Sequence, residues 1–273
     1  MRDFKELFGE LVKAGVHFGH QKSRWCPKMK QYIWGQENKV HLINIAQTAK
    51  GIERAENFLQ SVASEGKSVL WVGTKKPATK TIEAVGIRLG QPFVNHRWLG
   101  GTLLNWSQVK KSLTRLLHYE EILIKSESNP FYTKKELNLY RKIADKLEKT
   151  VGGIRKLALP VGAMVVVDVS KEQSAVKEAA LMGIPVIGIV DTNSDPSDID
   201  IVIPANDDSV QSISLIMNLL ADAVARGKDI AAKKTKDAGD AQIAKKGAKE
   251  SVVVEEEAPS DVEIALQQLA AQE

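Results

Sequence analysis

Two long stretches of this sequence contain no acidic residue. Windows 11–36 and 84–119 hold none of the 34 Asp and Glu, although an even distribution would place roughly eight acids there. The same windows contain ten Lys or Arg, four of the five Trp and four of the five His. Positive charge without local neutralisation, interleaved with aromatic rings, is typical of proteins that bind a phosphate backbone with exposed bases. The pattern favours RNA binding over catalysis.

Other absences narrow the class of protein. The single cysteine, Cys26, excludes an internal disulfide and indicates a reducing compartment. The sequence has no run of about 18 apolar residues, and residues 1–6 lack an apolar signal core, so we expect a soluble, cytoplasmic protein with no membrane partner. The net charge is +4, but residues 226–273 carry eight basic and ten acidic residues, which leaves +6 on the preceding chain. The basic character therefore resides in the body of the protein.

Short apolar runs alternate with segments of helical period along most of the chain. Strands are predicted at 68–72, 163–168, 185–190 and 201–203, and helices at 45–64, 77–90, 171–182 and 208–226. The strand candidates are continuously apolar, as in strands that are covered on both faces. The sequence therefore predicts an α/β fold with a doubly wound parallel sheet.

Residues 105–157 contain two long helical patterns and no strand. In the second pattern apolar residues recur at spacings of three and four from Leu137 to Ile154, which is typical of a two-helix coiled coil. The segment is predicted to be an antiparallel helical hairpin inserted into the sheet domain, which itself comprises 1–104 and 158–227. Two helices lying flat on the sheet are the alternative.

The composition changes after Arg226. Residues 228–273 have little patterned apolar surface and are predicted to form a disordered tail. Near its end, Ser260-Asp261-Val262-Glu263 has the form of a capping box and predicts a possible short C-terminal helix.

The first acid-free window contains the basic loop, which we define as residues 22–30. Its Gly and Pro neighbours favour an exposed, irregular segment over 17–30. Trp25 or Trp34 offers a ring for stacking on a base, unless Trp25 is packed in the core. The candidate RNA contacts in this loop are Lys22, Arg24, Trp25, Lys28 and Lys30.

The second window contains Gly100-Gly101, which permits close backbone approach, followed by a predicted helix. Its Trp98 and Trp106 are expected to be buried rather than to stack on bases. The candidate RNA contacts here are His96, Arg97, Lys110, Lys111 and Arg115.

Metal and enzyme hypotheses remain open from the residues alone. His17 and His20 with Cys26 are candidates for Zn²⁺, and strand-end acids, among them Asp191 and Asp195, are candidates for Mg²⁺. A nucleotide- or phosphate-binding α/β enzyme is the alternative function, because Gly73-Thr74-Lys75-Lys76 lies between a strand and a helix. The sequence has no complete phosphate-loop motif there, and no catalytic residues or cofactor are predicted.

Seven segments, in order, resemble the bacterial ribosomal small-subunit protein two family. They are GVHFGH (15–20), WCPKM (25–29), VGTKK (72–76), NHRWLGG (95–101), GIPVI (183–187), VDTNSDP (190–196) and IPANDD (203–208). The resemblance covers about residues 8–227 and implies a flavodoxin-like sheet domain with a protruding helical hairpin. It further implies a structural, non-enzymatic role on the small ribosomal subunit. The partners it implies are small-subunit rRNA and neighbouring ribosomal proteins, including the large mRNA-binding one.

Overall fold

The computed structural model of the protein describes residues 4–128 and 132–253. Residues 129–131 and 254–273 lie outside the described residues, and the predicted short C-terminal helix falls in the second range. In the part of the chain that is described, no helix combines the length and the apolar character needed to cross a membrane.

The N-terminal part of the chain contains a small antiparallel sheet that the sequence did not predict. Helix α1 (Phe4–Lys13) comes first, and the sheet is formed by strands β1 (Phe18–Gln21), β2 (Ile33–Glu37) and β3 (Val40–Ile43). Strand β3 lies between β1 and β2. The prediction of an irregular segment over 17–30 is therefore wrong in part, since it contains β1 and 3-10 turns at Lys22–Arg24 and Pro27–Tyr32. These strands are four or five residues long and β1 carries a bulge, so their sequence shows no sustained alternation.

A five-stranded parallel sheet forms the centre of the molecule. The elements that follow β3 are α2 (Ile45–Ser64), β4 (Val69–Val72), α3 (Thr79–Leu89), β5 (Phe93–Val94), α4 (Trp106–Ser128), α5 (Lys134–Val151), β6 (Ala163–Val167), α6 (Gln173–Leu181), β7 (Val186–Val190), β8 (Ile201–Pro204) and α7 (Val210–Val253). The strands lie side by side in the order β5-β4-β6-β7-β8. Within this sheet the order is 2-1-3-4-5, that of flavodoxin-like folds. The four predicted strands are confirmed, and β5 was missed because it has only two residues.

Helices cover both faces of this sheet. Trp71, Val165 and Ile187 pack on one face against α2, α3 and α7. Leu70 and Met164 point to the other face, where α6 and parts of α4 and α5 cover them. In β4, β6 and β7 neighbouring residues point to opposite faces of the sheet and all are buried. The predicted parallel sheet between two helical layers is confirmed.

Helices α4 and α5 pack against each other. The rings of Tyr119 and Tyr140 stack with centroids 5.6 Å apart, and α5 starts with a capping box between Thr133 and Glu136. Of the apolar positions in the two helical patterns, six are buried and four are half-buried. The buried ones are Val109, Leu113, Leu116, Ala144, Val151 and Ile154, and the half-buried ones are Leu123, Leu137, Tyr140 and Leu147. The six buried side chains belong to the same cluster as Leu70 of the sheet, so parts of both helices share its core.

The C-terminal part of the chain is a unit of its own. The chain divides into two compact units, Met1–Lys228 and Asp229–Glu273, and α7 extends through Val253. The helical part of 228–253 is rich in Ala and Lys, which are among the strongest helix formers. The disorder of the tail 228–273 stays a prediction.

Candidate nucleic-acid interface

The basic loop is held on the protein by its backbone and by one buried side chain. The backbone N–H of Cys26 donates to the carbonyl oxygen of Thr192 at 2.7 Å. Met29 is fully buried in the cluster on the α6 side of the sheet. Between and around these anchors, the side chains of Lys22, Arg24 and Lys30 are exposed. The loop therefore presents three cations from a fixed backbone.

Lys28 differs from the other cations of the loop. Its Nζ lies 2.7 Å from Asp195 and 2.8 Å from the hydroxyl of Ser197. The hydrogen bond from Lys28 lowers the pKa of Asp195 to about 2, with help from Ser197, and the same contact raises the pKa of Lys28. The prediction that all four loop cations lack a counter-acid is therefore wrong for Lys28. Asp195 follows it by 167 residues, so no local pattern revealed the pair.

The two Trp residues of the first window have different environments. Trp25 is half-buried and its ring packs on His41, with centroids 5.3 Å apart. Trp34 is 75% exposed on β2. Trp25 thus has less free surface for a base than the sequence suggested, and Trp34 has more.

A buried carboxylate of α6 shapes the loop of the second window. Glu178 Oε1 accepts hydrogen bonds from Trp98 Nε1 at 3.0 Å and from the Gly101 N–H at 2.8 Å, and Oε2 accepts from the Leu103 N–H at 3.0 Å. Trp98 is buried, as predicted, whereas Trp106 is only partly buried. The sequence analysis missed Glu178, although a lone acid among the small apolar residues of α6 was a usable signal. The three hydrogen bonds that Glu178 accepts fix the backbone directly after His96 and Arg97.

All five predicted cationic or imidazole contacts of the second window are exposed. They are His96, Arg97, Lys110, Lys111 and Arg115. The first two precede the Glu178-bound turn, and the other three lie near the start of α4. Trp98, Leu103 and Val109 from this window share one apolar cluster with Met29 from the first. The tertiary structure therefore places the basic loop and the segment 98–109 on the same side of the sheet.

Charged side chains fill the carboxyl edge of the sheet, where doubly wound folds bind ligands. Lys75 Nζ lies 2.7 Å from Asp207, 2.7 Å from Asp208 and 3.4 Å from Asp168. Burial alone would lower the pKa of Lys75, but the hydrogen bonds to Asp207 and Asp208 outweigh it and raise the pKa. Burial, together with the charges of Asp191 and Asp168, raises the pKa of Asp207 to about 7.

The segment considered for phosphate binding is already engaged within the protein. The N–H of Thr74 donates to Glu172 at 3.1 Å, and the Thr74 hydroxyl contacts the same carboxylate oxygen. Burial raises the pKa of Glu172. Because Lys75 is bound to three carboxylates, its ammonium has little positive charge left for a nucleotide phosphate. The geometry does not favour the enzyme hypothesis.

One group of side chains has the donors for a metal ion. The ligand atoms of His20, Asp191, Asp207 and Asp208 all lie within 4.8 Å of one another, and Asp207 Oδ2 is buried without a hydrogen-bond partner. An imidazole with carboxylates suits Zn²⁺, although the ammonium of Lys75 already neutralises part of this charge.

Of the four predicted metal candidates, the structure brings two into this group. His20 and Asp191 are 3.0 Å apart, and hydrogen bonding to Asp191 raises the pKa of His20. His17 and Asp195 are outside the group, as is Cys26. Asp195 instead binds Lys28. Asp207 and Asp208 complete the group, and they follow the strand predicted at 201–203.

Comparison with known protein families places the chain in a family. The family model described as Ribosomal protein S2 matches residues 11–227, which is well over half of the chain. The matched range includes both acid-free windows, the five-stranded sheet and helices α4 and α5.

Proposed function

The chain belongs to the ribosomal protein S2 family, and from this premise we propose that it binds small-subunit rRNA through the two acid-free windows. Membership makes the protein a structural component of the small ribosomal subunit, associated with the ribosome and with translation. The family is one of structural ribosomal proteins and not of enzymes. RNA binding by particular residues goes beyond membership and rests on the geometry of the interface.

The observation that carries the proposal is the common location of the basic loop and of the segment from His96 to the start of α4. The apolar residues of these two parts, Met29 with Trp98, Leu103 and Val109, pack in one cluster on one side of the sheet. The exposed groups there are Lys22, Arg24, Lys30, His96, Arg97, Lys110, Lys111 and Arg115. Arg and Lys on a rigid scaffold bind phosphates and fix the orientation of folded RNA. Lys28 contributes less, because Asp195 already compensates its charge.

Helices α4 and α5 extend this proposal to the inserted segment. We infer that 105–157 forms a coiled-coil hairpin that projects from the sheet domain. Mutual packing of the two helices and the exposed Leu117, Ile124 and Leu139 support it, because these three side chains lack the cover that the sheet gives to Leu116. The hairpin then carries Lys110, Lys111 and Arg115 at its attached end.

An apolar pocket supports a second contact, with a neighbouring ribosomal protein. The pocket has a volume of about 380 Å³, and Phe8, Val12, Trp34 and Leu42 are among its lining residues. Phe8, Val12 and Trp34 are exposed, and clustered exposed apolar groups are typical of protein contacts. We propose that the large mRNA-binding protein of the subunit docks here. Trp34→Ala should release that protein from purified subunits without reducing the amount of this chain, whereas equal retention would contradict the docking site.

The rRNA proposal is tested by the salt dependence of binding to a small-subunit rRNA transcript. Replacing Lys22, Arg24 and Lys30 together by Gln should make the slope of log K against log salt shallower by about 2 to 3, since each lost phosphate contact removes about 0.7–0.9. Lys28→Gln is the matched control within the same loop and should change the slope by much less. Binding by the triple variant at the wild-type slope would remove the basic loop from the interface.

A second set of variants tests the other window. Replacing Lys110, Lys111 and Arg115 by Gln should weaken binding in the same salt-dependent way. If the wild-type protein binds the transcript no better than an unrelated basic protein of equal charge, the proposed rRNA contact is wrong.

A further inference from the structure

A large groove lies beside the basic loop, and the function proposed above does not include it. It has a volume of about 960 Å³ and runs between the 3-10 turn Pro27–Tyr32 and helix α2. Ile201 and Val202 of β8, an edge strand of the main sheet, contribute to it. The groove is thus bounded by three separate parts of the chain.

One wall is a single face of α2. Gln47, Lys50, Gly51 and Arg54 line the groove, and their spacing of three, one and three residues places them on one side of the helix. A Cβ atom at Gly51 would lie 2.7 Å from the carbonyl oxygen of Val202. Glycine therefore lets α2 lie directly against β8, and the two exposed cations on either side of Gly51 border the groove.

The opposite wall belongs to the basic loop. Lys28 and Lys30 of the loop line it, together with Gln31 and Tyr32, which directly follow the loop. The contact of Lys28 with Asp195 and Ser197 joins this wall to the 195–200 turn, so the groove has a fixed width at that point.

The groove has an excess of positive charge. Among the described residues, Lys30, Lys50 and Arg54 form no ion pair, and all three are exposed. The acid that lines the groove is Asp200, whose Oδ2 accepts a hydrogen bond from the Val186 N–H at 2.8 Å. Three unpaired cations facing one engaged carboxylate form a site for an anion that extends along the groove.

We infer that this groove binds the phosphodiester backbone of one strand of RNA, with Lys30, Lys50 and Arg54 as the phosphate contacts. The inference rests on the proposed rRNA binding and adds a site to it. Lys50 and Arg54 are separated by about 6 Å along the helix axis, so each can contact a different phosphate. The amides of Gln31 and Gln47 supply hydrogen-bond donors for phosphate or ribose oxygens. Cations on both walls surround a single backbone more closely than they would the broad surface of a duplex.

This site was not predicted from the sequence, because Lys50 and Arg54 lie outside both acid-free windows and Glu53 stands between them in the chain. On the helix, however, Glu53 is not among the residues that line the groove. In the folded helix the two cations therefore line the groove and the acid does not.

The test compares two double variants of the full-length protein for binding to a small-subunit rRNA transcript. Lys50→Gln with Arg54→Gln should weaken binding about 25- to 60-fold at 0.1 M salt, since two phosphate contacts release about 1.4 to 1.8 counterions. The slope of log K against log salt should become shallower by the same amount. Lys80→Gln with Lys177→Gln removes equal charge from exposed positions on α3 and α6 and should change binding by less than about twofold.

A charge-conserving variant and the loop variants decide the remaining outcomes. Lys50→Arg with Arg54→Lys should bind within a few fold of wild type, and binding as weak as that of the Gln pair would overturn the inference. The inference would also be overturned if the Lys50→Gln/Arg54→Gln variant bound RNA as well as the Lys80/Lys177 control while the basic-loop triple variant bound more weakly. That result would leave the proposed function unchanged. Failure of the wild-type protein to bind would instead overturn the proposed function. Far-UV circular dichroism and thermal midpoints establish that each variant is folded.

Discussion

Replacement of Glu178 by Ala should destabilise the protein by about 2–4 kcal/mol. Its carboxylate accepts three hydrogen bonds, from Trp98 Nε1 and the N–H groups of Gly101 and Leu103. Hydrogen bonds to a charged group contribute about 1.5–3 kcal/mol each. Trp98 and Leu103 are buried, so their donors lose their acceptor without gaining water, whereas the half-buried Gly101 N–H can be solvated. Removing the buried charge also relieves its desolvation, which reduces the net loss.

Glu178→Gln should give an intermediate loss of about 1–2 kcal/mol. A Gln oxygen at the Oε1 position keeps the bonds from Trp98 and Gly101, and its amide then faces the Leu103 N–H as a second donor. Urea denaturation of the full chain, followed by circular dichroism and tryptophan fluorescence, measures both losses. Glu53→Ala, an exposed acid on α2, is the control and should stay within about 0.5 kcal/mol of wild type.

The same series separates positioning from charge in RNA binding. Glu178 fixes the backbone after His96 and Arg97, but its buried carboxylate cannot itself contact RNA. Glu178→Gln should therefore weaken rRNA binding a few fold and leave the slope of log K against log salt unchanged. A loss of stability of less than about 1 kcal/mol for Glu178→Ala would refute the reasoning, because removal of three hydrogen bonds to a buried carboxylate should cost more free energy than that. A shallower salt slope for Glu178→Gln would contradict its role as a positioning residue.

Two further predictions concern packing and charge. Gly51→Ala should destabilise the protein by about 1–3 kcal/mol despite the better helix propensity of Ala, because the new Cβ meets the backbone of β8. Gly9→Ala, in α1 with open space around it, should instead stabilise by about 0.5–1 kcal/mol in the same urea titration; a loss at both sites would show that the clash is not the cause. The pKa of Asp195 is lowered to about 2 by Lys28, so this pair stabilises the protein above about pH 4 and the contribution disappears as the pH falls through 2. The difference in thermal midpoint between wild type and Asp195→Asn should be small, because both side chains of the pair are exposed. This difference should vanish as the pH falls from 4 to 2, and a difference that stays constant over that range would contradict the ion pair.

Elements with a strong local pattern were predictable. The strands at 69–72, 163–167 and 186–190 are runs of buried residues, and their type is fixed by burial on both faces. The strand at 201–204 is apolar throughout, although Ile201 and Val202 are only partly buried. The small N-terminal sheet was not predictable in this way. Its strands are short, contain polar residues such as His20 and Gln36, and depend on pairing with β3 rather than on their own propensity.

The candidate site divides in the same way. The acid-free windows located the basic loop and the start of α4 from composition, and the exposure of Arg24, Lys30 and Lys111 agrees with that location. The neutralisation of Lys28 depends on Asp195, which lies far away in the chain. Counting charges in a window therefore overestimated the free positive charge of the loop.

The sequence by itself determined the secondary-structure type of the long elements and the sign of the charge on two surface segments, because both follow from neighbouring residues. Tertiary structure decided which of those charges remain unpaired, where the Glu178 carboxylate binds, and that Lys50 and Arg54 face Lys30 across a groove. Each of these contacts joins residues that are distant in the chain. The physical reason is that packing and electrostatic pairing act over distances in space, and only the folded sheet sets those distances.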